Sequence, residues 1–193
     1  MTAPIDGTTT GPDVGGLVVR RVREAEHAAV GAITVAAYAD FTAGPEDPYL
    51  DRLRDTGRRD REAEVWVALD AAGALLGSVT LCPPGSSWRE VAASDEGEFR
   101  MLAVDPGAQG GGAGRALVHH ALARFRADGA RSVVISSLPT MTTAHRLYAA
   151  TGFARVPERD HSPMPGIALW AFEHVLRPTT ADAISDLHAG LGD

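Results

Sequence analysis

Glu98-Phe-Arg-Met-Leu-Ala-Val-Asp-Pro-Gly-Ala-Gln-Gly-Gly-Gly-Ala-Gly-Arg-Ala-Leu117 decides how this chain is read. It predicts a buried strand, a Pro/Gly turn at Pro106-Gly107, a glycine loop and the first turn of a helix. A strand that feeds a glycine loop at a helix start builds an anion site. The first amides of a helix have no internal partner, and the helix dipole is positive there. Glycines let the backbone approach a phosphate with no Cβ in the way.

Three ligand classes compete for the loop. A nucleoside-triphosphate loop needs Gly-x-x-x-x-Gly-Lys-Ser/Thr; Gly107 and Gly112 have that spacing, but Ala113-Gly114 follow and no lysine is present. A dinucleotide fingerprint needs Gly-x-Gly-x-x-Gly. From Gly110 the third glycine is replaced by Arg115, and from Gly112 it is replaced by Leu117. Coenzyme A is the third class. Here Val104-Asp105-Pro106 followed by Gln109-x-x-Gly112-x-Gly114-Arg115 resembles the pyrophosphate loop of the GNAT superfamily of N-acetyltransferases. Ala144-His-Arg-Leu-Tyr148-Ala-Ala-Thr-Gly152-Phe153 resembles that family's Ala-x-x-Leu-Tyr-x-x-x-Gly-Phe signature. The two segments stand in the family's order, and the resemblance runs from about Leu17 to Leu176.

Composition narrows the setting. A chain of 193 residues suits one domain with a proper core. No apolar run reaches membrane-helix length, and no charged-then-apolar leader opens the chain. The expectation is a protein that neither spans nor binds a membrane. Cys82 is the single cysteine, so no internal disulfide forms, which fits a cytoplasmic location. A net charge of −7 argues against general nucleic-acid binding and is compatible with a cationic amine substrate. No His/Cys cluster has metal-ligand spacing, so no metal is expected.

Along the chain, residues 1–16 form a Thr/Gly/Pro-rich tail and residues 177–193 a polar, Ala-rich one, with one domain over 17–176. Strands are expected at 17–22, 64–69, 74–81, 98–104, 132–136, 153–156 and 167–176. Helices are expected at 24–38, 49–56, 113–127 and 140–150, with Gly57, Gly129 and Gly152 as stops. Residues 82–97 and 157–165 are expected as loops, the second carrying His161. Strands alternating with helices after a hairpin give an α/β fold. The resemblance makes this the acyl-CoA N-acyltransferase fold, a mixed, mostly antiparallel sheet of about seven strands, flanked by helices, with splayed central strands.

Acetyl transfer from a thioester to an amine needs the thioester held and polarised, the amine deprotonated and the leaving thiolate protonated. The resemblance places acetyl-CoA, as co-substrate, on the backbone of Leu102, Ala103 and Val104 and on the loop Gln109, Gly110, Gly111, Gly112, Ala113, Gly114 and Arg115. It makes Tyr148 the general acid toward sulfur, since a phenol stays protonated at neutral pH. Glu98 is the candidate general base. Asp95 and Glu96 either attract a cationic amine or are solvated loop charges.

Two positions depart from the family's pattern. Met141 stands where the family often has Asn. Ser136 stands where members that modify protein N-termini can carry a catalytic Glu, which weakens that reading. The acceptor pocket would draw on Tyr38, Phe41, Tyr49, Trp88 and His161. Cys82 precedes a proline turn with no evident partner and is set aside as a nucleophile. The reading is therefore an acetyl-CoA-dependent N-acetyltransferase acting on a primary amine of a small molecule or peptide by direct attack. The alternative is a non-catalytic acyl-CoA sensor or partner-binding module. Family sheets often join through their C-terminal strands, so a homodimer is compatible with the resemblance.

Overall fold

Alternation of apolar residues through the first half of the chain builds an antiparallel meander. It comprises β1 (Val18–Arg21), β2 (Glu64–Leu69), β3 (Leu75–Cys82) and β4 (Glu96–Val104). The computed structural model describes residues 16–176, so both expected tails lie outside it apart from Gly16. Asp70 closes the β2–β3 hairpin by accepting hydrogen bonds from the amides of Ala72 (2.9 Å) and Ala74 (2.8 Å). β4 crosses over through α4 (Ala113–Ala127) to β5 (Ser132–Ser137), its parallel partner. A connection between parallel neighbours requires such a crossover. After α5 (Thr142–Ala150), β8 (Ile167–Val175) returns antiparallel to β5. Its outer edge pairs with β6 (Ala154–Arg155) and β7 (His161–Met164).

The sheet order is β1-β2-β3-β4-β5-β8-β6, with β7 also on β8. The expected mixed, mostly antiparallel sheet is therefore present, and β4–β5 is the parallel pair. The strand beyond the expected seven is β7, which the prolines around it disguise as a loop. A proline in a strand is tolerated where its missing N–H would face outward, and Pro163 lies in a strand that pairs on β8 alone.

Helices cover both faces. On one, α4 buries Ala116, Leu117, Ala121, Leu122 and Phe125 against Phe99, Val133 and Ile135, the stripe its helical spacing sets. Gly97 lets Phe125 lie on β4, because a Cβ at that position would overlap the ring. On the other face sit α1 (His27–Tyr38), α2 (Tyr49–Arg54) and α3 (Thr56–Glu62). The helix expected over 49–56 is two helices. Asp55 breaks it and caps the second by accepting a 2.9 Å hydrogen bond from the Arg58 amide, which leaves Gly57 inside α3. The capping aspartate was the available signal, and the glycine obscured it.

Arg59 of α3 pins this layer to the sheet. Its side chain is fully buried and donates to Thr80 Oγ1 (3.0 Å), Thr56 Oγ1 (3.0 Å), Thr34 Oγ1 (3.3 Å) and the Leu53 carbonyl (3.0 Å). Burial pulls its pKa down to about 10, so it remains a cation at neutral pH. One side chain thus ties α1, α2 and β3 together. It fixes the end of α1, where Tyr38 stands, over β4.

Candidate active site

β4 and β5 pair only at Glu96–Ser132, Gly97–Val133 and Glu98–Val134. From Phe99 onward β4 has no β5 partner, so the two strands part. A bulge bends β4 at this point. Between the pairs Thr80–Arg100 and Ser78–Ala103, Met101 and Leu102 stand opposite Val79 alone. Met101 carries the strain, with φ at +50° in a buried side chain. Beyond the bulge the backbone alternates. The Asp105 amide donates to the Leu76 carbonyl (2.8 Å), and the Ala103 carbonyl abuts Gly77, so both face β3. The intervening Val104 therefore turns its backbone groups into the gap.

The glycine loop closes one end of the gap. Asp105 accepts from the Gly107 amide (2.8 Å) and forms the turn over Pro106–Ala108. Gly110 (φ +83°) and Gly112 (φ +88°) then adopt left-handed backbone that L side chains rarely accept. The Ala116 amide donates to the Gly112 carbonyl (2.9 Å) and begins α4. The amides of Ala113, Gly114 and Arg115 lie ahead of that bond and point out of the helix end. Gly114 sits against α5 and β4, where a Cβ would stand 3.2 Å from Leu147 and 3.3 Å from Val104. A cavity of about 600 Å³ follows this path. It is lined by Leu102 and Val104, by Gln109 through Arg115, by Met141, Thr143, Ala144 and Leu147 at α5, and by Ala37, Tyr38 and Phe41 at the end of α1. Ala103 is buried beside it rather than in its wall.

Tyr148 is one residue beyond Leu147, buried among Phe99, Phe153 and Phe172 at ring separations of 6.3, 5.8 and 5.7 Å. Its hydroxyl has no hydrogen-bond partner among the described residues. Burial pushes its pKa upward, so the phenol holds its proton at any neutral pH. Cys82 is also buried, its thiol pushed up to about 12, so the side chain stays an unreactive thiol at neutral pH.

Glu98 lies on the opposite face of β4 and is buried. Its carboxylate accepts hydrogen bonds from the amides of Glu90, Val91 and Ala92, each at 3.0 Å. It anchors the loop between β3 and β4. Glu98→Gln puts an amide NH₂ against those donors, and the expected cost is about 2 kcal/mol of stability, measured by chemical denaturation.

Glu96 does not stand where a loop acid would. It is neither a solvated loop charge nor a lure for an amine. Its side chain is fully buried in β4 and is gripped by Arg159 (2.8 and 2.9 Å) and Arg131 (2.6 Å). Arg159 also donates to the Val91 carbonyl (2.6 Å). The hydrogen bonds from Arg159 hold the Glu96 carboxyl at about 2, below its usual 4.5. A depressed folded-state pKa stabilises the fold fully above about pH 4.5, and the gain is lost as pH falls toward 2. The expected contribution at pH 7 is about 3 kcal/mol. Denaturation of wild type and Glu96→Gln should show a gap at pH 7 that narrows below about pH 4.5 and closes toward pH 2.

Tyr38, Tyr49 and Trp88 pack around Met101, Leu50 and Leu53, while Phe41 lines the cavity with Tyr38. His161, on β7, approaches Glu90, with Nε2 at 3.8 Å from the carboxylate. Glu90 in turn pairs with Arg100 at 2.8 Å. Sequence reading missed Glu90 and Arg100. The available signal was Arg100 itself, two residues past Glu98 and so directed to the same face of an otherwise apolar strand.

Known proteins share this framework. Residues 20–153 match the acetyltransferase (GNAT) family. A mycothiol acetyltransferase of Sanguibacter keddieii is 33% identical over 169 residues, covering 80% of this chain and 51% of the relative. One from Cellulomonas flavigena is 39% identical over 116 residues, covering 56% of this chain and 33% of the relative. The chain thus spans about half or less of these relatives' own length. Among solved structures, a GNAT-family acetyltransferase of Staphylococcus aureus superposes with a TM-score of 0.65 at 11% identity, over 83% of this chain and 99% of that one. The Salmonella typhimurium protein yncA, solved with its cofactor acetyl-CoA, superposes at 0.60 with 21% identity, over 87% of this chain and 98% of that one. Those identities speak for the fold. With the family match over most of the domain, the chain belongs to the GNAT family of acetyltransferases.

Proposed function

We propose that this chain moves an acetyl group from acetyl-coenzyme A to a primary amine of a small molecule. The observation that carries the reading is the parted β4–β5 pair with a glycine-opened helix at its end. One feature offers backbone groups to an extended arm, the other offers free amides to a pyrophosphate. The fit is supported by the left-handed Gly110 and Gly112, by the close approach at Gly114 and by a cavity of about 600 Å³. Leu102 and Val104 would pair with the pantetheine arm, and Gln109 through Arg115 would hold the phosphates. Acetyl-coenzyme A supplies an activated thioester.

The remaining chemistry falls to side chains. Tyr148 is the general acid toward sulfur, since its buried phenol keeps its proton until a thiolate forms. Cys82, a buried thiol at neutral pH, does not serve as an acyl carrier. The amine attacks directly. The relatives named mycothiol acetyltransferase support a small-molecule acceptor.

Thiol release from acetyl-coenzyme A is the test, run over small amines, polyamines, aminoglycosides and peptides. Turnover on a small amine is the expected result. Coenzyme A binding with no release on any of these would favour the sensor reading instead.

A further inference from the structure

An ammonium must lose a proton before it attacks, and Glu98 is taken up by loop amides. Another destination lies on the same face of the sheet. Both ring nitrogens of His161 are buried without a hydrogen-bond partner among the described residues. Buried polar atoms are usually satisfied, and an orphan marks a place that a ligand or water completes. Nε2 stands 3.8 Å from the Glu90 carboxylate, and Glu90 stands 2.8 Å from Arg100.

Topology gives that contact its meaning. β5 and β8 separate β4 from β7 in the sheet. A carboxylate that touches Arg100 of β4 and approaches His161 of β7 therefore reaches across β5 and β8. On that same face Ser136 pairs with Ala171, two residues beyond the last β4–β5 pair. The Ser136 hydroxyl is also buried without a partner among the described residues. Unspent polar groups thus share one face where the central strands part. The loop carrying Glu90 is held there by Arg159, which grips both Glu96 and the Val91 carbonyl two residues before His161.

We propose that His161 accepts the proton of the acceptor amine and that Glu90 orients the imidazole and balances its charge. The inference rests on the acetyl-transfer reading. An ammonium N–H bond breaks, and the proton passes to neutral His161. The amine lone pair forms the C–N bond as the C–S bond breaks. Sulfur takes the Tyr148 proton, and the phenolate recovers one from the new amide nitrogen. His161 returns its proton to water, so the products are an amide, a thiol and one proton. Arg159 is a positioning residue in this scheme.

The charged groups near the ring are Glu90, Arg100 behind it and Asp160 next in the chain, itself paired with Arg155 at 2.8 Å. Only an unprotonated imidazole accepts a proton, so kcat/KM should show an acid limb. Removing the Glu90 charge takes away the carboxylate 3.8 Å from Nε2 and should weaken proton acceptance.

The test measures pH profiles with ethylamine, spermidine and L-alaninamide as probe amines, beside calorimetric coenzyme A binding. His161→Asn is expected to lower kcat/KM by roughly 10²–10⁴-fold near pH 7 and abolish the acid limb, with cofactor affinity retained. Glu90→Gln is expected to lower kcat/KM less than His161→Asn does and to keep part of the activity. A His161→Asn enzyme with the wild-type rate and the same acid limb would overturn the inference and leave acetyl transfer standing. Failure of the wild-type chain to bind coenzyme A would overturn both.

Discussion

Replacing Tyr148 with phenylalanine is expected to lower kcat by roughly 10²–10⁴-fold while leaving coenzyme A binding and folding stability nearly unchanged. The hydroxyl and the ring of Tyr148 do different things. The ring packs against Phe99, Phe153 and Phe172, and phenylalanine keeps all three contacts. The hydroxyl bonds to nothing among the described residues, so its loss orphans no internal partner. A tyrosine that only fills the core would therefore give a Phe variant with full activity. An acid would give a well-folded variant that binds cofactor and turns over slowly. Denaturation, calorimetry and thiol release on the same two proteins distinguish the outcomes. The variant's loss should fall on kcat rather than on KM for acetyl-coenzyme A, because sulfur calls for the proton only as the C–S bond breaks.

Gly112→Val is expected to weaken coenzyme A binding by roughly 10- to 100-fold, about 1.4–2.8 kcal/mol. The backbone there sits at φ +88°, where a β-branched side chain is strained, and its relief would redirect the amides of Ala113, Gly114 and Arg115. The loop lies at the surface, so the domain should still fold. Gly73→Val is the matched control. It has φ +84° in the β2–β3 turn, with open space around it, and does not line the cavity. It should lose comparable stability and keep cofactor affinity. Equal affinity losses in the two variants would mean that general instability, and not loop geometry, governs binding.

What was legible in the sequence was what neighbours in the chain decide. The glycine loop, the strand before it and the Leu147-Tyr148 helix announce themselves because turn chemistry and helical spacing act over a few residues. The hairpin at Asp70 was readable for the same reason. The charged residues were not. Glu96 looks like a loop acid until Arg131 and Arg159, 35 and 63 positions away, close on it. Glu98 reads as a candidate base, and nothing local shows that three amides of its own loop fold back onto it. His161 looks like a loop histidine because Pro157, Pro163 and Pro165 hide an edge strand. Each fate depends on which distant segment arrives, and no local pattern records that. The gap between β4 and β5 is of the same kind, since the side chains of Leu102 and Val104 read only as core.

The most direct test of the central claim is a calorimetric titration of coenzyme A into the full chain. Saturable binding with one ligand per chain, weakened by Gly112→Val and kept by Gly73→Val, is the expected result. No saturable heat with the wild-type chain, confirmed by an unchanged melting temperature at millimolar coenzyme A, would contradict the assignment of the β4–β5 gap and its glycine loop as the cofactor site.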